Sequence, residues 1–328
     1  GLAKWSIGQR ARGVVDPDVD RALDAGAMIR THVLRPTWHF VAAPDIRWML
    51  ALTAPRVRRH RASRFRELGL DHRTLARCET VIASALAGDR RLTRQELEGV
   101  LATAGIDTSD QRLPYILLHG ELEAVVCSGG LSGKRHTYAL FDERVQTGPR
   151  IDHDEALLEL VRRYLQSHGP ATEQDLRWWS SLPLTDIRNA LHQLGSDVRR
   201  EVIEGAAFWF LADGTRTPRG ENGVHFLQLY DETLVGYTHS RFFGDPRARA
   251  AREAWRDRSL PTGMLLIDGS VAGHWRRTVK KDLLTVEIFH YEKLASAMRH
   301  RLETAAAEMG RFLGRPAGVE LRLLARRR

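Results

Sequence analysis

A chain of 328 residues is long enough for two or three domains and can bury a sizeable core. Its 50 Lys and Arg against 41 Asp and Glu give a formal charge of +9, which favours a polyanionic partner, nucleic acid first, although an arginine-heavy proteome would give the same balance. Two cysteines, Cys78 and Cys127, are too few for a disulfide framework and lack metal-ligand spacing, and no apolar run approaches the roughly 20 residues that span a bilayer. No signal-peptide pattern is present, so a cytoplasmic, nucleoid-associated location is expected. The chain opens Gly1-Leu2 without Met, and further gene product upstream is expected.

The first segment opens with a helix-like piece, Leu2 to Arg10, and Asp16-Pro17 start a helix that Gly26 stops. Met28 to Leu34 reads as a strand, Arg35-Pro36 turns it, and Thr37 to Val41 returns. Pro44 begins a helix through Leu52, a separate basic helix follows from Pro55 to about Leu68, and Asp71 to Ala87 is helical again. In the second segment Thr93 caps a helix over Arg94–Thr103, and Ser109 or Asp110 starts another through Leu118. A hairpin of Leu122–Ser128 and Lys134–Phe141 closes that segment across a glycine-rich loop.

The third segment, entered through Pro149-Arg150-Ile151-Asp152, carries the sharpest pattern. A helix ends near His168, Thr172 caps a second, and Pro183 or Thr185 starts a third that runs to Leu194. Two short strands, Asp197–Ile203 and Ala207–Phe210, flank Glu204-Gly205. Helix, turn, helix and β-hairpin in that order make a winged helix, a shape that lays one helix in a DNA groove. The fold class expected is α+β, with three tandem winged-helix modules and a C-terminal β-rich subdomain. Boundaries fall at 1–90, 91–150, 151–215 and 216–328, the first module being incomplete at its N-terminus. In the last segment Val224–Leu229 and Leu234–His239 read as strands and Arg247–Asp257 as a helix. Gly263–Ile267 and Val271–Trp275 form a hairpin across Asp268-Gly269, and a turn at Lys280-Lys281-Asp282 leads to the strand Leu283–Tyr291. A long helix, Glu292–Phe312, and a strand, Val319–Leu324, complete it.

Phosphate-loop, dinucleotide, zinc-protease and nucleophile-elbow motifs are all lacking, and the 14 histidines form no metal-binding pair, so neither metal nor cofactor is expected. Gly129 to Lys134 sits between strands, which suits a mobile wing tip with Lys134, Arg135 and His136 against a phosphate backbone, or a merely solvated hairpin. The first wing presents Arg35, Trp38 and His39. It could stack on an unstacked nucleotide, or Trp38 and Phe40 could alternate inward with His39 half-exposed. Arginines fill nearly every face of residues 56–66, Arg58 and Arg59 among them, and make a phosphate-tracking helix plausible. Arg276, Arg277 and Lys280 mark a second basic hairpin. His39 and Asp231 are the weak catalytic candidates in view; Asp231-Glu232 reads first as a capped turn. Trp178-Trp179 reads as helix–helix core rather than as a wedge.

The run Ile29 to Ala42, with Asp45-Ile46-Arg47-Trp48 and Thr53-Ala54-Pro55-Arg56, resembles a bacterial family. So do Ser167 to Thr172, Tyr230-Asp231-Glu232 with Val235-Gly236-Tyr237, and Asp268-Gly269 with Gly273 and Trp275-Arg276-Arg277. In order and spacing these resemble the winged-helix DNA-binding proteins that include the AlkZ and YcaQ DNA glycosylases. The resemblance implies a C-shaped scaffold of three winged helices that hydrolyses the N-glycosidic bond of bulky or cross-linked alkylpurines. It also implies a catalytic Gln-x-Gln or Gln-x-Asp a few residues before Ala3-Lys4-Trp5, hence upstream of Gly1, so no residue in view inherits that role.

The reading that follows is a monomeric glycosylase acting on double-stranded DNA, with no membrane partner. The alternatives are a non-enzymatic regulatory or architectural DNA binder, and a protein- or ligand-binding platform on the same scaffold. The first two predict duplex binding whose log affinity falls by roughly 0.9 per phosphate contacted as log salt rises.

Overall fold

The computed structural model describes residues 2–145, 148, 151–213, 223–241, 263–280 and 282–323. The fold is mixed α and β, and its residues gather into two compact units, one of Asp20–Phe210 and one of Gly1–Val19 with Leu211–Arg328. The division falls within one helix, α2 (Asp16–Asp24).

In the 20–210 unit, β1 (Met28–His32) and β2 (Trp38–Ala42) pair antiparallel, with Thr31 opposite His39 and His32 opposite Trp38. Next comes α3 (Ile46–Glu67), one helix of 22 residues where two were expected. Pro55 does not break it. Pro55 and Ala51, whose carbonyl loses its usual donor, both lie on the exposed face, while Leu52, Ala54 and Val57 are buried. Asp71 accepts from the Thr74 N–H to cap α4 (His72–Leu86). Thr93 and Glu96 form a reciprocal capping box that starts α5 (Arg94–Thr103). After α6 (Arg112–Leu122), β4 (Val126–Ser132) and β5 (Arg135–Leu140) form a hairpin joined by β3 (Leu92–Thr93) in the order β3-β5-β4. Apolar side chains at helical spacing on α4, α5 and α6, including Ile82, Leu86, Leu97, Leu101 and Ile116, bury one continuous core against Val126.

α7 (Phe141–Arg144) is short, and α8 (His153–His168), α9 (Glu173–Ser180) and α10 (Leu184–Leu194) follow. The buried pair Thr172 and Asp175 caps α9 reciprocally. The hairpin of β6 (Val198–Ile203) and β7 (Ala206–Leu211) is tied back to the entry of α9 by backbone bonds between Ala171 and Trp209 at 2.8 and 3.0 Å.

The other unit holds a five-stranded sheet in the order β12-β11-β10-β9-β8. β8 (Val224–Gln228), β9 (Gly263–Ile267), β10 (Ser270–Lys280) and β11 (Leu283–His290) pair antiparallel, each with the next. β12 (Ala317–Leu323) lies parallel to β11, and the crossover that this requires is α12 (Ser296–Leu313). Asp268 and Gly269 both take positive φ, +53° and +80°, which a two-residue hairpin turn demands. α1 (Leu2–Gly8) lies at the free edge of β8, where the Trp5 indole N–H donates to the Phe226 carbonyl at 2.8 Å. An edge-strand acceptor is thereby satisfied by a side chain. Leu234 to His239 is not a strand. Asp231 accepts from the Thr233 N–H and caps a short helix, α11 (Glu232–Val235), so local side-chain bonding wins over the β-branched pattern. The expected helix Arg247–Asp257 lies outside the described residues, as do Lys281 and the linker residues Pro149 and Arg150. Among the described residues, no helix is long and apolar enough to cross a membrane.

Candidate nucleic-acid interface

On β1 the side chains alternate: Ile29 and Thr31 are fully buried, while Arg30 and His32 stand half-buried on the other face. That face meets Trp38 across the hairpin. The Arg30 guanidinium carbon lies 3.8 Å from the indole centroid, and the His32 ring lies 4.8 Å from it. Nearly half of the indole, 49 %, remains exposed. Behind His32, α6 supplies Glu121, which is only 2 % exposed. Its Oε2 accepts from the His32 backbone N–H at 3.0 Å and meets Nδ1 of the same ring. One carboxylate thus fixes both the backbone and the imidazole of His32.

A cavity of about 180 Å³ opens beside this assembly, lined by His32 and Trp38 from the hairpin, Arg61 from α3, Arg94 from α5, Tyr115 from α6 and Tyr138 from β5. Burial, and then the Glu121 charge, push the Tyr138 hydroxyl up to about 12, so it stays a neutral donor. Arg30 pays for its position in the opposite sense: burial lowers it, while Tyr138 and Glu121 act to restore it.

The arginine-rich stretch of α3 is divided by its surroundings. Arg58 is ion-paired with Glu123, and Arg64 pairs with Glu67 at 2.9 Å, whereas Arg59 is exposed and Arg61 faces the cavity. Lys134, Arg135 and His136 are all exposed at the tip of the β4–β5 hairpin, where Ser132 pairs with Arg135 around Gly133-Lys134. The glycine of the expected mobile loop that matters sterically is Gly130. Its φ of +92° belongs to a register shift inside β4, beside Asp24, which accepts from the Leu131 N–H at 2.9 Å. Arg35 sits in the turn between β1 and β2, its guanidinium carbon 5.9 Å from the Trp178 ring. His39 is half-buried on the strand face opposite Trp38 and does not line the cavity. Trp179 is in ring contact with Tyr164 and His168, centroids 5.0 and 5.6 Å apart, while Trp178 is 48 % exposed.

In the other unit, β10 and β11 extend as a hairpin to Lys280 and Leu283, with Val279 and Leu283 exposed at its end. Arg276 is held by Glu287 through two bonds, at 2.9 and 2.7 Å. Arg277 is half-buried, burial lowers its pKa while Asp16 acts to raise it, and its Nη1 has no hydrogen-bond partner among the described residues. Lys280 is exposed. Asp231 is wholly buried and accepts from Ser6 Oγ at 2.7 Å, from Arg10 Nη1 and Nη2 at 3.0 and 2.6 Å, and from the Thr233 N–H at 3.1 Å. Burial would raise this carboxyl, but the bonds from Arg10, Ser6 and Thr233 outweigh it and hold the group below the usual range. A carboxylate so fully engaged is a cap and an anchor for the chain near residue 10. His39 and Asp231 therefore belong to different units. Among the described residues, no three His, Cys, Asp or Glu side chains cluster to hold a metal ion.

Residues 1–312 match the DNA glycosylase AlkZ-like family. The chain belongs to that family. An interstrand DNA cross-link repair glycosylase of Streptomyces sahachiroi is 23 % identical over 327 residues, spanning 95 % of this chain and 86 % of that protein. The solved structure of the DNA glycosylase AlkZ from the same organism superposes with a TM-score of 0.73 at 22 % identity, covering 98 % of this chain and 89 % of that one. Within this AlkZ-like member, the structure brings Trp38 together with Arg30, His32, Arg61, Arg94 and Tyr138, of which the sequence marks Arg61 alone as a candidate, within the basic helix. The available signal was the hairpin itself: His32 and Trp38 flank the turn at equal distance, so pairing sets them side by side.

Proposed function

We propose that this AlkZ-like protein is a DNA N-glycosylase that hydrolyses the N-glycosidic bond of alkylated or cross-linked purines in double-stranded DNA. The family match over residues 1–312 carries the reading. The interstrand cross-link repair named for the Streptomyces relative supports the lesion class. The helix, helix and hairpin order at 91–150 and 151–215 supports winged-helix modules there, with a further one within 1–90 and a β-rich remainder at 216–328.

The chemistry asks little of the leaving group. Alkylation at a purine ring nitrogen already makes the base cationic, so the transition state needs a positioned water and stabilisation of the sugar cation. Arg277 and Lys280 on one hairpin, and Lys134 and Arg135 on another, meet phosphates and set position without reading sequence. The exposed Val279 and Leu283 suit apolar contact in a minor groove. No metal is required, and a monomer in the nucleoid suffices.

The test is incubation of full-length protein with duplex DNA carrying a single 7-alkylguanine, followed by quantification of free base and of alkali-labile abasic sites. Base release is expected; none above the spontaneous rate would remove the assignment.

A further inference from the structure

We propose that the cavity beside Trp38 is a binding site for one nucleotide displaced from the stack of the bound DNA. The inference rests on the glycosylase reading for its ligand, but its geometry stands independently. The size suits a single ring: a cavity of about 180 Å³ compares with the roughly 150 Å³ that admits one benzene ring. The lining is aromatic on several sides, with Trp38, Tyr115 and Tyr138 around it. At its mouth stands an indole that is half-exposed and yet held in place by Arg30 at 3.8 Å and His32 at 4.8 Å. An exposed tryptophan held by two side chains of its partner strand loses little freedom when a base stacks on it, which is what a stacking platform requires.

The polar groups complete the match to a nucleotide rather than to an apolar ligand. Arg61 and Arg94 reach the cavity from two different helices, so two cations converge where a phosphodiester would lie. Glu121 is buried behind His32 and holds the imidazole by its Nδ1, leaving the opposite ring edge to bond the edge of a base. A neutral Tyr138 hydroxyl adds a second hydrogen-bonding group. A purely apolar guest would leave these cations without counter-charge, and a simple anion would leave the indole unused. The nucleotide held here need not be the damaged one; a partner or flanking base that a bulky lesion has unseated has the same chemistry.

The experiment compares two duplexes of one sequence, one fully paired and one with a single 2-aminopurine bulge, in binding titrations with full-length protein. Wild type should prefer the bulged duplex by about 10-fold or more, and the 2-aminopurine emission should be quenched on binding as the base stacks on the indole. In Trp38→Ala the preference should fall toward one and the quenching should vanish, a loss within the roughly 5- to 150-fold range of base–aromatic stacking. Trp38→Phe should keep most of both, which guards against a folding defect in the alanine variant. A wild-type protein that binds both duplexes equally, or a Trp38→Ala protein with the preference intact, overturns the proposal. Release of 7-alkylguanine without any bulge preference would remove this site and leave the glycosylase assignment standing. Bulge preference without base release would do the reverse.

Discussion

Replacing Arg10 with Met should reverse the sign of the acid response of the sheet-bearing unit. Asp231 is fully buried and its charge is balanced mainly by two bonds from Arg10, at 3.0 and 2.6 Å. Arg10 itself is 46 % exposed, so its guanidinium re-solvates easily if the carboxylate is removed, whereas the carboxylate cannot if the guanidinium is removed. Breaking a buried pair from that side costs about 3–5 kcal/mol, because an uncompensated charge stays behind. The double variant Arg10→Met with Asp231→Asn should lose less, about 1–2 kcal/mol, since only the neutral hydrogen bonds and the cap weaken. In wild type the native carboxyl lies below its unfolded value, so its contribution is complete above about 4 and is lost as pH falls through the native pKa. In the Arg10→Met protein burial dominates, the carboxyl moves above its unfolded value, and stability is lost as pH rises instead. Urea unfolding from pH 3 to 7, followed by tryptophan emission, reads both effects. A deficit under about 1 kcal/mol, or a pH dependence of the same sign as wild type, would refute the reasoning.

Four other outcomes follow from the structure. Burial pushes the His274 imidazole down to about 4, and as a neutral ring it accepts from the Tyr291 hydroxyl. Stability should therefore decline as pH falls from about 6.5 toward 4, by about 3 kcal/mol at the lower end, and thermal melts of His274→Gln across that window should be flatter. Charge reversal at Lys134 and Arg135 should weaken DNA binding for all sequences and reduce the salt slope by about 2; an unchanged slope takes that hairpin off the contact surface. Arg276→Glu should cost stability as well as DNA affinity, because Arg276 is bonded to Glu287, while Lys280→Glu should cost affinity alone; melting curves beside binding titrations separate the two. Thr172→Ala should cost about 1 kcal/mol through loss of the buried capping box, measured as a lowered Tm.

The helices were legible where the chain writes their ends. Asp71, Thr93 and Thr172 cap helices by side-chain bonds, and residues with those oxygens at those spacings announce a start before any tertiary contact forms. Asp268-Gly269 announced its hairpin for the same local reason. Pro55 misled because its effect depends on which face it occupies: on the solvent side of α3 the orphaned carbonyl reaches water, and nothing in the local sequence says so. Leu234 misled because Asp231, three residues earlier, holds the backbone in a turn whose anchor, Arg10, is 221 residues away. The candidate site was legible only in part. Trp38 announced itself as a large ring on a turn, but Tyr115 and Arg94 line the cavity from α6 and α5, whose meeting is decided by core packing between Leu101, Ile116 and their neighbours. Charge counting likewise overstated α3, since Glu123 and Glu67 neutralise two of its arginines.

The indole of Trp5 finds its acceptor on Phe226, 221 positions further along the chain. During synthesis at roughly 5–20 residues per second, that interval is on the order of 10–40 s. For that time the newborn N-terminal helix has neither its strand edge nor its carboxylate anchor, while Asp20–Phe210 can complete its own core. Assembly on the ribosome therefore runs from the middle outward, and α1 is among the last of the described elements to be fixed in place.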